Sequence, residues 1–110
     1  MTDDEKLFRG PCRIVTVSLP EEVASGLSCG CAGIGDAARR VAYGLIRVGD
    51  EAVTLAISEG RRAPRKGVRV SFRMPCAAHE RIEEMVAANG GLVAHAYRGA
   101  LSAFLRGAGG

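Results

Sequence analysis

The sequence predicts a mostly helical domain that contains one two-stranded antiparallel β-ribbon. Two eight-residue stretches alternate apolar and polar side chains, and each ends at a proline that is followed by two segments of helical periodicity. The two halves also match without a gap when Pro20 is set over Pro75, an offset of 55 residues. A strand and two helices cannot bury their apolar faces alone, so the two copies are expected to share one core.

The second alternating stretch, 68–75, has the more informative polar face. Its two faces are occupied by Val68, Val70, Phe72 and Met74 on one side and by Arg69, Ser71 and Arg73 on the other. Strict alternation of this kind indicates a half-buried strand. A solvent-facing strand usually mixes charges, whereas this face carries hydrogen-bond donors and no carboxylate. It therefore favours contact with an anionic partner.

The first alternating stretch, 13–20, has the same parity and a less basic polar face. The predicted inner face holds Val15, Val17 and Leu19, and the predicted outer face holds Ile14, Thr16 and Ser18. Pro20 ends the strand, and Glu21 and Glu22 follow it. Two carboxylates suit the first turn of a helix, where the helix dipole favours negative charge.

Two helices are predicted after the first strand. A glycine-containing helix follows Pro20, and Gly35-Asp36 is predicted to be a turn in which Asp36 caps the next helix. The inward positions of that next helix are Ala37, Val41, Leu45 and Val48. Between the repeats, 50–58 is expected to be a short helix, with a strand that aligns Val53, Leu55 and Ile57 as the alternative. A basic linker is expected at 60–67.

Two helices are also predicted after the second strand. The first carries Ala78, Ile82, Met85 and Val86 inward, and Asn89-Gly90-Gly91 is typical of a left-handed helix end. The final helix spans 92–106, and its apolar stripe consists of Val93, Ala96, Tyr97, Ala100, Leu101 and Phe104. The chain therefore divides into a flexible tail (1–11), a first repeat (12–49), a linker with a possible short helix (50–67) and a second repeat (68–107). The two repeats are expected to form one intertwined domain with four helices beneath the ribbon.

Charge is distributed unevenly along the chain. Residues 1–60 contain six Lys/Arg and nine Asp/Glu, whereas residues 61–110 contain nine Lys/Arg and three Glu, so the net charges are −3 and +6. A basic half that includes the donor-rich strand favours a polyanion, most simply nucleic acid. The acidic start and the lack of a long apolar run predict neither a secretory signal nor a membrane span. A cytoplasmic protein with reduced thiols is expected.

Other chemistry is weakly supported by the sequence. Cys29 and Cys31 with Cys76 and His79 form a conceivable zinc set, but the Cys29-x-Cys31 gap is tighter than usual, so no metal and no cofactor are expected. The glycines at 30–35 have no preceding strand and no P-loop lysine. His79 and His95 have no nucleophile at a convincing spacing. We therefore expect no enzyme activity and no catalytic residues.

The duplicated strand–proline–helix–turn–helix order resembles the ribbon-helix-helix family of DNA-binding proteins, the Arc and MetJ type. The match covers about 13–48 and 68–106, and the second half fits better. Family members usually pair two chains, so this chain is similar to a tandem ribbon-helix-helix pseudo-dimer, as in the TraY-type proteins of plasmid conjugation. A two-stranded ribbon fits the major groove of B-DNA.

The resemblance implies two sets of DNA-contacting residues. The base-reading side chains would be Arg69, Ser71, Arg73, Thr16, Ser18 and Ile14, of which Ile14 could contact only a thymine methyl or pack. The phosphate contacts would be backbone N–H groups near Ala37 and near Leu92 and Val93. Apart from the resemblance, the linker cations Arg61, Arg62, Arg65 and Lys66 run directly into the second strand, so they are expected near phosphates, with a solvated basic loop as the alternative.

Two function hypotheses follow from these observations. The first is sequence-specific binding of double-stranded DNA, as a transcriptional regulator or as an accessory protein in plasmid maintenance or conjugation. Because the two strands differ, the site should be asymmetric, and further copies of the chain are possible partners along DNA. The second is a protein-interaction module of antitoxin type, suggested by the glycine-rich first half, which would fold on a partner protein.

Overall fold

In the computed structural model, which describes residues 6–28, 33–62 and 67–109, the two predicted strands form one antiparallel ribbon. Strand β1 is Cys12–Leu19 and strand β2 is Val68–Pro75. They pair along their whole length, from Cys12 opposite Pro75 to Leu19 opposite Val68. Alternation explains both strands, since it gives each one an apolar face to bury. The predicted ribbon is confirmed.

The inner face of the ribbon packs on the helices. Val17 and Phe72 are each 4% exposed, and Leu19 and Met74 are fully buried. Val68 differs from the prediction, because it lies at the open start of β2 and is 43% exposed. The predicted parity therefore holds over most of the ribbon, and the opposite face is left to solvent.

Helices α1 (Glu21–Ser28) and α2 (Gly33–Val48) follow β1. Helix α1 begins directly after Pro20, as predicted. Helix α2 begins earlier than predicted, so Gly35 and Asp36 lie in its first turn and Asp36 is not a preceding cap. The Asp36 carboxylate instead pairs with Arg40 one turn later, with 2.6 Å between Oδ2 and Nε.

Helix α3, Asp50–Arg62, occupies most of the region expected to be a linker. The short-helix prediction is confirmed and extended, the strand alternative is wrong, and Gly60, Arg61 and Arg62 are helical rather than part of a loop. Gly49 joins α2 to α3 with a φ of +97°, a left-handed conformation that favours glycine. Val48 precedes this turn at the end of α2 and is 65% exposed, contrary to the predicted inward position.

Helices α4 (Cys76–Ala88) and α5 (Val93–Gly109) follow β2. The predicted inward residues of α4 are buried, and Gly90 ends it with a φ of +68°, as predicted. On α5, Ala96, Tyr97 and Leu101 are fully buried. Among the described residues, none of the helices has the length and apolar character needed to cross a lipid bilayer.

Of the segment predicted to be a flexible tail, residues 6–11 are described, and two of their side chains are partly buried. Leu7 and Phe8 lie against the core. The ring of Phe8 makes an edge contact with Tyr43 of α2, with 5.7 Å between centroids. The Pro11 carbonyl accepts a hydrogen bond from the Cys76 N–H at 3.0 Å, so this segment also extends the ribbon by one contact.

Candidate nucleic-acid interface

The outward face of the ribbon carries the six side chains that the sequence selected as base readers. These are Ile14, Thr16 and Ser18 on β1 and Arg69, Ser71 and Arg73 on β2. Five of them are exposed, and Ser18 is half-buried. Ile14 is an apolar side chain with 60% of its surface exposed. The face therefore presents two guanidinium groups, three hydroxyls and one exposed aliphatic group in a single layer.

Antiparallel pairing determines which of these side chains are neighbours. Ile14 lies opposite Arg73, Thr16 opposite Ser71, and Ser18 opposite Arg69. The central pair is joined by a hydrogen bond between the Thr16 Oγ1 and Ser71 Oγ atoms, 2.9 Å apart. The two arginines therefore lie at opposite ends of the face, although both belong to β2.

The end at Ile14 and Arg73 borders a groove of about 540 Å³. Its other wall is the start of α2, including Asp36 and Arg39. The Arg39 Nη2 group donates to the Cys12 Sγ atom at 3.7 Å, which holds the guanidinium beside β1. Asp36 is already paired with Arg40, so that cation offsets its negative charge. The groove between the ribbon and α2 is thus lined by two cations, Arg39 and Arg73, and by the carboxylate of Asp36.

The end at Ser18 and Arg69 is anchored by α5. The Arg98 Nε–H group donates to the Ser18 carbonyl oxygen at 2.8 Å. Gly67 passes close to the same strand, since a Cβ added there would lie 2.4 Å from the Leu19 carbonyl oxygen. Each end of the ribbon thus has one additional arginine from a helix, Arg39 at one end and Arg98 at the other.

The two helix starts that were predicted to hold phosphates differ in whether the named backbone N–H groups are free of hydrogen bonds within the helix. Ala37 is the fifth residue of α2 and is buried, so its N–H lies within the helical hydrogen-bonding pattern and cannot serve as predicted. At α5 the Leu92 carbonyl accepts from the Ala96 N–H at 3.2 Å, which makes Leu92 the cap position. Leu92 is 61% exposed, and the first N–H groups of α5, starting at Val93, have no acceptor within the helix.

The predicted basic run is only partly described. Arg61 and Arg62 lie in the last turn of α3 and are exposed. Arg61 Nη2 donates to the Gly90 carbonyl oxygen at 3.3 Å, so this cation lies at the turn between α4 and α5. Arg65 and Lys66 lie outside the described residues.

A buried polar pair supports β2 from below. The His79 Nδ1 atom lies 3.0 Å from the Tyr97 hydroxyl, and the two rings are stacked. Tyr97 also makes an edge contact with Phe72, the inward residue between Ser71 and Arg73. Burial raises the pKa of the Tyr97 phenol, so the hydroxyl stays protonated and can donate to His79.

The pKa of His79 is lowered, chiefly by burial. The Glu83 carboxylate opposes this effect and Arg13 adds to it, with Glu80 as a smaller opposing charge. The Nε2 atom lies 3.4 Å from Glu83 Oε1. A neutral imidazole that accepts at Nδ1 and carries its proton at Nε2 satisfies both contacts. The hydrogen bond with Tyr97 therefore explains why a histidine is buried at position 79.

Metal-binding groups are sparse in the described ranges. Within residues 6–28, 33–62 and 67–109, no three His, Cys, Asp or Glu side chains come together as a metal site. Cys12 and Cys76 are free thiols there, and Cys29 and Cys31 lie outside the described residues. The pKa of His95 is lowered by burial and by Arg98 and Arg61, and its Nδ1 atom has no hydrogen-bond partner.

Sequence reasoning missed Arg39 and Arg98 as part of this surface. Both lie on helices, and their contacts with β1 join residues 27 and 80 positions apart. The only available signal was their charge, which does not distinguish them from the other surface arginines. Comparison with known proteins adds nothing to this assignment, because no protein-family model, no curated protein and no solved structure matches the chain.

Proposed function

We propose that this protein binds double-stranded DNA in a sequence-specific manner, with its ribbon in the major groove, as a single-chain pseudo-dimer of ribbon-helix-helix type. The observation that carries the proposal is the register of the ribbon. Thr16 pairs with Ser71, and these two residues are also equivalent under the 55-residue offset of the sequence repeat. A two-fold axis through a two-stranded ribbon requires such a self-equivalent pair at its centre.

The neighbouring pairs are arranged about the same axis, as antiparallel pairing around this centre requires. Val15 pairs with Phe72, and Phe72 is the repeat equivalent of Val17; in the same way Val17 pairs with Val70, the equivalent of Val15. A slip of one residue would leave no self-equivalent pair at the centre of the ribbon and would turn the apolar side chains of the slipped strand outward. The register and the repeat are independent observations, and both agree with two copies related by one axis.

The outward face has the size and chemistry for the major groove. The major groove of B-DNA is about 12 Å wide and admits a two-stranded ribbon. Arginine bonds the O6 and N7 atoms of guanine in a bidentate manner, while serine and threonine can donate or accept. Arg39 and Arg98 beside the ribbon would contact phosphates, which position a protein on the duplex without reading its sequence.

The proposed biological role is regulation of DNA transactions. A tandem protein of this kind fits transcriptional regulation, or accessory work at a plasmid maintenance or transfer origin. Its location would then be cytoplasmic. The location of the DNA sites that the protein binds distinguishes these roles: promoters indicate transcriptional regulation, and a transfer origin indicates the accessory role.

The first experiment is selection of bound duplexes from a random pool, followed by affinity measurements across salt concentration. We expect one enriched sequence and a log–log salt dependence of about −0.9 per phosphate contact. Enrichment of no sequence, with no binding of any duplex at low salt, would contradict the proposal and favour a protein partner instead.

The Arg73→Ala variant tests direct base contact. Loss of a bidentate contact should cost about 1–3 kcal/mol and relax the preference at one base pair. Arg81→Ala is the matched control, because it removes the same charge from an exposed site on α4, where Arg81 pairs with Glu84 at 3.5 Å. An equal fall of specific and nonspecific affinity in the Arg73→Ala variant would show that Arg73 contacts phosphate and does not read a base.

A further inference from the structure

The placement of the arginines on the ribbon points to the layout of the DNA site. We infer that the site contains two G·C pairs separated by about four base-pair steps, and that a thymine methyl is read beside only one of them. This inference rests on the proposed DNA binding and adds the identity and spacing of the base pairs.

The spacing follows from the geometry of β2. Arg69 and Arg73 point to the same face and are four residues apart, which is about 13 Å in a strand that rises about 3.3 Å per residue. Successive base pairs are about 3.4 Å apart along the duplex axis, so 13 Å corresponds to at most about four steps, since a strand that follows the inclined groove advances less along the axis. Ser71 and Thr16 lie between the two arginines, and their mutual hydrogen bond uses one of the two hydroxyl protons.

The asymmetry follows from the cross-strand neighbours. Directly opposed side chains in an antiparallel pair have Cβ atoms about 4.5–5.5 Å apart, so Ile14 and Arg73 face neighbouring base pairs. Ile14 is 60% exposed and can form no hydrogen bond, whereas a thymine methyl in the groove gives it an apolar partner. Ser18 occupies the corresponding position beside Arg69, and it is half-buried with its carbonyl bound by Arg98.

The test uses the selected duplex and replaces each thymine in turn by uracil, which removes only the C5-methyl group. At one position, within two base pairs of the guanine whose preference is relaxed in the Arg73→Ala variant, we expect affinity to fall by about 3- to 5-fold, the value of one buried methyl group. In the Ile14→Ala variant this same replacement should have no effect. Val68→Ala is the control, because Val68 is also an exposed aliphatic residue of the ribbon but has the opposite parity.

The guanines are located by selection with the arginine variants. Arg69→Ala and Arg73→Ala should each relax one G·C pair by roughly 5- to 150-fold, and the two pairs should lie three to five steps apart. Any other separation, or a uracil effect that persists in the Ile14→Ala variant, would overturn the inference. These outcomes require an enriched sequence, so they are distinct from failure of the proposed function, in which no sequence is enriched.

Discussion

At the scale of single residues, His79 connects the core to the ribbon. Its Nδ1 atom accepts from the Tyr97 hydroxyl, and Tyr97 in turn contacts Phe72 beneath the outward residues of β2. A buried polar group of this kind is stabilising only while its hydrogen bonds are complete. The protonation state of His79 therefore bears on the stability of the whole ribbon–helix contact.

The free energy of unfolding should decrease as the pH falls from 7.5 to 5.5. The pKa values of His79 and His95 are both lowered in the folded protein, chiefly by burial, whereas in the unfolded chain they return to about 6.5. The folded state thus binds fewer protons, so its stability is complete above pH 6.5 and is lost as the pH falls toward the lowered values. Urea denaturation at the two pH values measures this change.

The His79→Gln variant measures how much of the pH dependence of the free energy of unfolding comes from His79. Glutamine keeps a hydrogen-bonding group near Tyr97 but does not titrate, so the decrease should be smaller than in the original protein and His95 should account for the remainder. The same pH dependence in both proteins would show that His79 has a similar pKa in the folded and unfolded chain.

At the scale of secondary-structure elements, the closest approach between helices at a glycine is the crossing of α3 and α5. A Cβ added at Gly60 would lie 1.9 Å from the His95 carbonyl oxygen, and one added at Gly99 would lie 1.9 Å from the Ala56 carbonyl oxygen. The backbones of the two helices therefore touch directly. At its end the crossing is closed by an ion pair of Glu59 with Arg106, 2.6 Å between Oε2 and Nη2.

The Gly60→Ala variant should be strongly destabilised. The added methyl group meets backbone, which cannot rotate away, so we expect a loss of about 3 kcal/mol or more in the free energy of unfolding, the upper end for overpacked sites. Gly44→Ala is the matched control, because Gly44 lies within α2 and an added Cβ meets nothing within 4 Å. That change should stabilise by roughly 0.5–1 kcal/mol, the helix preference of alanine over glycine. Similar stabilities of the two variants by thermal denaturation would contradict the close crossing.

The sequence could predict those elements whose signals are local, and it could not decide those that depend on contacts such as this crossing. The strands and the glycine end of α4 were predictable, because alternation and Gly90 are local signals. Helix α3 was ambiguous, because Val53 and Ile57 satisfy both a helical and an alternating pattern. The ambiguity is resolved by a contact with α5 that joins residues far apart in sequence. Local alternation also made the six outward ribbon residues predictable. The contacts of Arg39 and Arg98 with β1 are non-local, so these two residues were not predictable.

The asymmetry of the ribbon face is a second result of non-local pairing. From the sequence, the DNA site was expected to be asymmetric because the outward faces of the two strands differ. Pairing instead gives each end one arginine and one β1 side chain, Ile14 at one end and Ser18 at the other. The expected difference between the strands thus becomes a difference between the two ends of the proposed DNA-reading face.

At the scale of the whole molecule, the acidic and basic halves of the chain are interleaved. Strand β1 comes from the half with a net charge of −3 and β2 from the half with +6, yet they lie side by side. The arginines beside the ribbon also come from both halves, Arg39 from the first and Arg98 from the second. Both halves of the sequence therefore contribute a strand and an arginine to the same side of the ribbon.

A duplex that contains one selected site should bind one chain. The ribbon is completed within the chain, since β1 and β2 pair over all eight positions, and no second copy is needed to form the outward face. Sedimentation should therefore give a free mass near 11.5 kDa and a 1:1 complex, with a binding curve that has no cooperativity. A free mass of two chains, with binding lost on dilution below the dimer dissociation constant, would contradict a self-sufficient ribbon. Longer duplexes with two sites then measure contacts between copies separately, because any cooperativity there cannot come from assembly of the ribbon itself.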